Sequence, residues 1–178
     1  MEEADRIVQQ LKTKVLECAK GFGLPEDHLE EVCQAILGGE PLYTIVGMDR
    51  SSIEARYALA SQCYQVGKYS DAEPIFRWLC MYEGNAERNW LGLAATLQAE
   101  KKYEEAREMY QITALMSGLE NPAPFYYSGI CFLRENNSED AVTAFQTVLT
   151  LGDSSNREHA VLIDRAKALL KSLTKADA

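Results

Sequence analysis

The sequence predicts an all-α array of stacked helix pairs, and three observations carry that prediction. A small-residue and aromatic signature recurs three times at a nearly constant interval. The flanking segments place apolar residues at helical spacing, and no stretch alternates as a half-buried strand would. The signature reads Tyr69-Ser70-Asp71-Ala72 with Phe76, then Tyr103-Glu104-Glu105-Ala106 with Tyr110, then Ser138-Glu139-Asp140-Ala141 with Phe145. The alanines lie 34 and 35 residues apart, and each aromatic follows its alanine by four. Sixteen positions before each alanine stand Arg56, Trp90 and Phe125, and thirteen before stand Leu59, Leu93 and Ser128.

This spacing resembles the tetratricopeptide repeat, a helix–turn–helix unit of about 34 residues. Ala72, Ala106 and Ala141 are expected where the two helices of a pair cross most closely, because only a small side chain fits there. Larger residues beside them fill the remaining space, and each pair buries its apolar faces by stacking on its neighbour. Ser70-Asp71-Ala72-Glu73 has the form of a capping box, and Pro74 falls one turn further on, where it should bend the helix slightly. The repeats are expected at 53–86, 87–120 and 122–155, within a repeat region of 51–155.

Before them, 1–50 reads as an N-terminal helical segment. Ile7, Val8, Leu11, Val15 and Cys18 or Ala19 share one face and stop at Gly21-Phe22-Gly23; Leu29, Val32, Cys33, Ile36 and Leu37 share another and stop at Gly38-Gly39. After the repeats, Ser155-Asn156-Arg157-Glu158 opens a last helix over 156–178. Its stripe of Leu162, Ala166, Leu169, Leu170 and Leu173 suits a cap on the end of the stack. The expected fold is thus an all-α tetratricopeptide-repeat superhelix of three helix–turn–helix repeats, with N-terminal helices and a C-terminal capping helix.

Composition narrows the functional classes. The chain has 178 residues, 47% apolar and 25% charged, which is ordinary for a globular protein and excludes fibrous or wholly disordered readings. Eighteen Lys and Arg against 27 Asp and Glu give a net charge of −9, with no basic stripe to track phosphates, so no nucleic-acid partner is expected. The opening Met1-Glu2-Glu3-Ala4-Asp5 leads into no apolar core, so no secretory leader is expected. Met109–Leu119 is uncharged but far shorter than the roughly 20 residues that cross a bilayer, so no membrane insertion is expected. Five cysteines without a C-x-x-C pair read as reduced, packed thiols of a cytosolic protein.

Catalytic chemistry finds little support. There are two histidines, His28 and His159, and no H-E-x-x-H, G-x-S-x-G or phosphate-binding glycine motif. Cys18, His28 and Cys33 lack zinc-finger spacing, Cys80 has no evident base, and Glu30-Glu31 and Glu104-Glu105 read as solvated helix faces. The expectation is a protein with no enzyme activity, cofactor or metal.

A binding surface is better supported. At about 100° per residue, the first helix of each repeat has a core stripe of Leu59, Ala60 and Cys63; Trp90, Leu93, Ala94 and Leu97; and Phe125, Gly129 and Phe132. A quarter turn away lie Tyr57, Ser61 and Tyr64; Leu91, Ala95 and Gln98; and Tyr126, Ile130 and Leu133. None of these nine is charged, although an exposed helix normally carries charge. Either this second stripe packs against the next repeat, or it lines an open groove for the apolar anchors of a peptide. Its amphipathic tyrosines favour the groove. Tyr57, Leu91 and Tyr126 occupy positions where a lysine would be needed to grip a terminal carboxylate, so selection by side-chain burial is expected.

Residues 38–150 resemble the class II chaperones of bacterial type III secretion, which hold the pore-forming translocators. The resemblance lies in Gly38-Gly39, Tyr57-Ala58-Leu59-Ala60, Tyr64-Gln65-Val66-Gly67-Lys68-Tyr69, Phe76 with Leu79-Cys80, and Arg88-Asn89-Trp90-Leu91-Gly92-Leu93. Tyr110 with Ala114 and Pro124-Phe125-Tyr126 complete it. It implies a cytoplasmic bacterial protein, a homodimer when free, whose N-terminal helices contribute to self-association. It also implies that an unfolded segment of a secreted translocator lies in the concave groove, kept soluble and secretion-competent. By motif position it assigns Tyr57, Tyr64 and Tyr69 to cargo contact, together with Tyr103 and Tyr126. Glu100-Lys101-Lys102 departs from the family's usual glycine at that turn. The alternative function is a generic repeat adaptor joining folded proteins.

Overall fold

The computed structural model describes residues 38–176, and the boundary between its two compact units falls between Arg50 and Ser51. The first unit contributes the short helix α1 (Leu42–Ile45), closed by Met48 N–H donating to the Tyr43 carbonyl at 2.8 Å. The N-terminal helices expected over 3–20 and 25–37, with Cys18, His28 and Cys33, lie outside the described residues.

The second unit is an array of antiparallel helix pairs: α2 (Arg50–Gln65) with α3 (Tyr69–Tyr82), α4 (Glu87–Ala99) with α5 (Tyr103–Met116), and α6 (Ala123–Arg134) with α7 (Ser138–Leu151). A final helix, α8 (Arg157–Ala176), packs on α7 and touches α6. Among the described residues there is no strand. Ala72, Ala106 and Ala141 are fully buried, as close helix crossings require. The stripe of α8 also packs as its periodicity indicates: Leu162 and Ala166 join Tyr126, Phe145 and Val148 in one core cluster, with Leu169, Leu170 and Leu173 at its margin.

Two glycines set how closely helices approach. A Cβ on Gly92 would stand 2.3 Å from Cε1 of Phe76, which belongs to the preceding repeat. One on Gly129 would stand 2.6 Å from Cε1 of Phe145, within the same repeat. Both phenylalanines are buried, so each ring occupies the volume that its glycine leaves empty.

The turns inside the three repeats share one design. Gly67, Lys101 and Asn136 each adopt a left-handed backbone, with φ of 77°, 65° and 60°. The next residue's N–H, at Lys68, Lys102 and Asn137, donates to Cys63, Leu97 and Phe132 carbonyls at 2.9 Å. This is the Schellman closure, which satisfies carbonyls that the helix end leaves orphaned. Glycine adopts that backbone freely and asparagine tolerates it, whereas for lysine it costs roughly 1–2 kcal/mol.

Asn137 also caps α7, its Oδ1 accepting from the Asp140 N–H at 3.2 Å. Asn137→Ala should therefore lower stability by about 1 kcal/mol, read as a shifted denaturation midpoint with an unchanged slope.

Three expectations need correction. The capping box at Ser70–Glu73 does not form: α3 starts at Tyr69, no side chain caps it, and Glu73 is instead held by Arg77 at 2.7 Å and Lys102 at 2.6 Å. Pro74 lies inside α3 where the sequence placed it, and the helix runs on to Tyr82. Leu59 is 50% exposed, while its equivalent in repeat two, Leu93, is buried. Leu59 stands in the first repeat of its unit, with no repeat of that unit before it. Cys63, Trp90, Phe125 and Phe132, expected in the core, are only partly buried.

Polar ties repeat with the fold's period. Arg88 binds the carboxylate of Glu54 through two hydrogen bonds of 2.7 and 3.0 Å, and Asn121 donates to Glu87 at 2.7 Å; both pairs are 34 residues apart. On the second-helix side, Arg77 and Lys102 bridge Glu73, Glu105 and Glu100. The Lys102 ammonium, with Arg77, holds the Glu73 carboxyl at about 2 against its ordinary 4.5, while burial opposes the shift. A carboxylate depressed on folding stabilises fully above its unfolded value and loses that contribution as pH falls towards its folded one. The melting difference between the native protein and Glu73→Gln should thus be largest above pH 5 and vanish on acidification towards pH 2.

Candidate functional site

The first helices of the three repeats, α2, α4 and α6, supply most of the wall of a cavity of about 600 Å³. That volume lies within the range of cavities that hold a ligand. Leu91, Ala95 and Ala99 from α4 and Ile130 from α6 give it an apolar surface, and Tyr64, Tyr103, Tyr110 and Tyr127 ring it with aromatics. Gln98, Lys101 and Arg134 complete the lining.

Packing orders these tyrosines. Tyr110 is almost fully buried, stacks on Tyr127 at 5.7 Å between ring centroids, and donates its hydroxyl to Gln98 Oε1 at 2.6 Å. Tyr64 stands 36% exposed at the cavity edge, its ring 5.5 Å from that of Tyr69. Burial raises the pKa of Tyr64 and Tyr110 above the ordinary 10.0, with neighbouring tyrosines adding a smaller push. Both hydroxyls therefore stay protonated at neutral pH, and that of Tyr110 donates to Gln98.

Of the residues expected at a groove, Tyr64, Leu91, Ala95, Gln98, Tyr103 and Ile130 come together here. Tyr57, Ser61, Tyr69, Tyr126 and Leu133 do not line the cavity. Tyr57 packs edge-on against Phe76 at 6.1 Å and carries the Arg88 guanidinium on its face at 4.6 Å, so it serves the junction of repeats one and two. Tyr69 reaches the site through Tyr64. Ser61 is half-buried on α2, and Leu133 packs beside the terminal core cluster.

Tyr126 needs correction as a groove residue. It is 8% exposed and packs on Phe145 at 5.8 Å, within the cluster that includes Leu162 and Ala166 of α8. The cap supplies an apolar surface on that side of α6, and Tyr126 is buried beneath it. The cavity face of α6 becomes Tyr127, Ile130 and Arg134, which share the spacing i, i+3, i+7.

Ala99, Lys101, Tyr110, Tyr127 and Arg134 are the lining residues that the sequence reading missed. The i, i+3, i+7 spacing could have pointed to Tyr127 and Arg134. Tyr110 was hidden by its signature position, which marks a core residue, because its ring is core while its hydroxyl end reaches the cavity.

Thiol chemistry is disfavoured at Cys80 and Cys131. Cys80 and Cys131 are buried, and burial pushes each thiol up to about 12, which suppresses the reactive thiolate at neutral pH. Among the described residues no group of three His, Cys, Asp or Glu side chains is placed to hold a metal, and no helix is long and apolar enough to cross a membrane.

Comparison with known proteins places this geometry in context. The tetratricopeptide-repeat family model matches residues 54–85 and 89–116. The chaperone protein SicA of Salmonella typhimurium is 27% identical over 149 residues, covering 83% of this chain and 86% of SicA. PcrH of Pseudomonas aeruginosa, solved in complex with the chaperone-binding region of PopD, is 32% identical; the match covers 74% of this chain and 98% of PcrH, with a TM-score of 0.69. SycD, the type III secretion translocator chaperone of Yersinia enterocolitica, is 28% identical in a dimeric form, covering 72% and 96% of the two chains with a TM-score of 0.67. SycD has also been solved with a peptide of the translocator YopD.

Proposed function

Because this chain belongs to the translocator chaperones of type III secretion, built from tetratricopeptide repeats, we propose that its cavity holds an extended apolar segment of a secreted translocator. The observation that carries the reading is the cavity itself: Leu91, Ala95 and Ile130 offer apolar surface where a folded monomer would normally present charge. Tyrosines around that surface are wet when it is empty and give large, stiff contact area when it is filled. PcrH, solved with the chaperone-binding region of PopD, and SycD, solved with a peptide of the translocator YopD, support the reading.

The work done is mass action. A chaperone that binds only the unfolded, export-competent chain lowers the free concentration available to aggregate or to enter a membrane early. Binding, not turnover, is the role, and the bacterial cytoplasm is its place. The chain pairs with itself when free, as SycD does, with residues 1–50 contributing to that contact.

Purification from the native host should recover an otherwise insoluble secreted protein, and limited proteolysis should leave a short apolar remnant protected by the chaperone. Recovery of folded partners alone, bound without any protected segment, would favour the adaptor reading instead.

A further inference from the structure

The wall of the cavity has a charge asymmetry that apolar capture does not use. Lys101 and Arg134 both line it, and no carboxylate does. Neither side chain has an ion pair or hydrogen bond to another described residue, whereas Arg77, Arg88, Lys102 and Arg107 each hold a glutamate. Two unpaired cations facing one cavity are notable in a chain of net charge −9. The other polar groups in the lining offer donors as well. Gln98 has its oxygen occupied by Tyr110, leaving its amide hydrogens free to face a ligand.

Lys101 stands out for a second reason. It holds the left-handed turn position that glycine fills in repeat one and asparagine in repeat three. A lysine there is unfavourable for the backbone, and strain of this kind collects at binding sites.

We infer that the captured segment presents the side-chain carboxylate of an aspartate or glutamate to Lys101 and Arg134, beside the apolar side chain that fills the cavity. The inference rests on the capture reading above and adds a rule for choosing among apolar segments. Placement in the fold selects a side chain over a chain terminus. The cavity draws on α2, α4 and α6, so an extended occupant crosses these helices. Lys101 and Arg134 sit at the C-terminal ends of α4 and α6, along one edge of that path and not at its finish. A carboxylate meeting both comes from the flank of the strand. Arginine with a carboxylate adds directional hydrogen bonds to the attraction.

The test selects random twelve-residue peptides, fixed between Gly-Ser flanks, on the full-length chain. The native protein should enrich acidic residues at a constant spacing from apolar anchors. Changing the acid to its amide in the best synthetic peptide should weaken binding about tenfold at low salt, with the gap narrowing as salt rises. Lys101→Gly with Arg134→Gln should lose the acidic preference and keep the apolar one. Lys101→Gly relieves the turn, so a melting temperature that holds or rises shows that the lost preference is not a folding defect. Lys101→Glu with Arg134→Glu should reverse the preference towards basic residues.

Apolar selection without acid enrichment, or an acid preference unchanged in these variants, would overturn the inference and leave capture standing. Binding only by peptides that end in a free carboxylate at the anchor, and not by their amidated forms, would overturn it in favour of a terminal clamp. A library with no binders would overturn capture and this inference together.

Discussion

Ala95→Trp is expected to abolish capture of the translocator while leaving the fold intact. Ala95 lines the cavity at the middle of α4, partly exposed, with some 600 Å³ of open volume beyond it. A tryptophan there can extend into that volume, so the strain that accompanies overpacking of a closed core does not arise. It would occupy the space of the ligand's anchor, and anchors of this kind carry most of the energy of such interfaces. Affinity for the co-purified partner should fall at least about a hundredfold, an expected loss of roughly 3 kcal/mol or more. The melting temperature should move by only a few degrees. Its neighbour provides the contrast: Ala94 is fully buried, and Ala94→Trp should unfold the protein. Unchanged affinity in Ala95→Trp would mean that the cavity is not the capture site.

Gly92→Val is expected to have the largest effect on stability. The Phe76 ring already lies where the first carbon of any side chain would go, and Phe76 is itself 3% exposed. To admit a valine, either the ring leaves its place or α4 moves away from α3. Overpacking costs typically 1–3 kcal/mol, and the branched side chain adds little helix propensity to offset it. A loss of about 3 kcal/mol should lower the melting temperature by roughly 10 °C for a unit of this size. Because the contact joins repeats one and two, the damage should also loosen the cavity that both help to line. A second change, Phe76→Leu, should restore part of the loss, and the double-mutant cycle would measure the coupling. Additive losses would show that Gly92 matters for some reason other than the ring.

Much of the fold was legible because it is governed by local rules. The period of Ala72, Ala106 and Ala141 needs only a tight helix crossing repeated in sequence. The stripe of the last helix needs only an apolar neighbour to cover it. Errors arose where a residue's role depends on what lies opposite. Leu59 and Leu93 occupy the same place in successive repeats, yet only Leu93 has a repeat of its unit in front of it. Glu73 had the spacing of a capping box, but Lys102 and Arg77, one of them 29 residues away, claimed its carboxylate. In the site, an uncharged stripe pointed to Leu91, Ala95, Gln98 and Ile130, all of which line the cavity. It misplaced Tyr126, and it could not find Lys101 or Arg134 because it searched for the absence of charge.

By itself, the amino-acid order determined the all-α class, the number and phase of the repeats, the capping helix and the apolar character of the inner face. These follow from helical periodicity and from the size of side chains at fixed intervals, which are properties of neighbours along the chain. Tertiary structure alone decided which side of α6 faces the cavity, that Tyr126 lies under the cap while Tyr127 replaces it, and that two unpaired cations border an apolar hollow. Those outcomes depend on how helices distant in sequence compete to cover the same surface, and that competition is settled only when they pack.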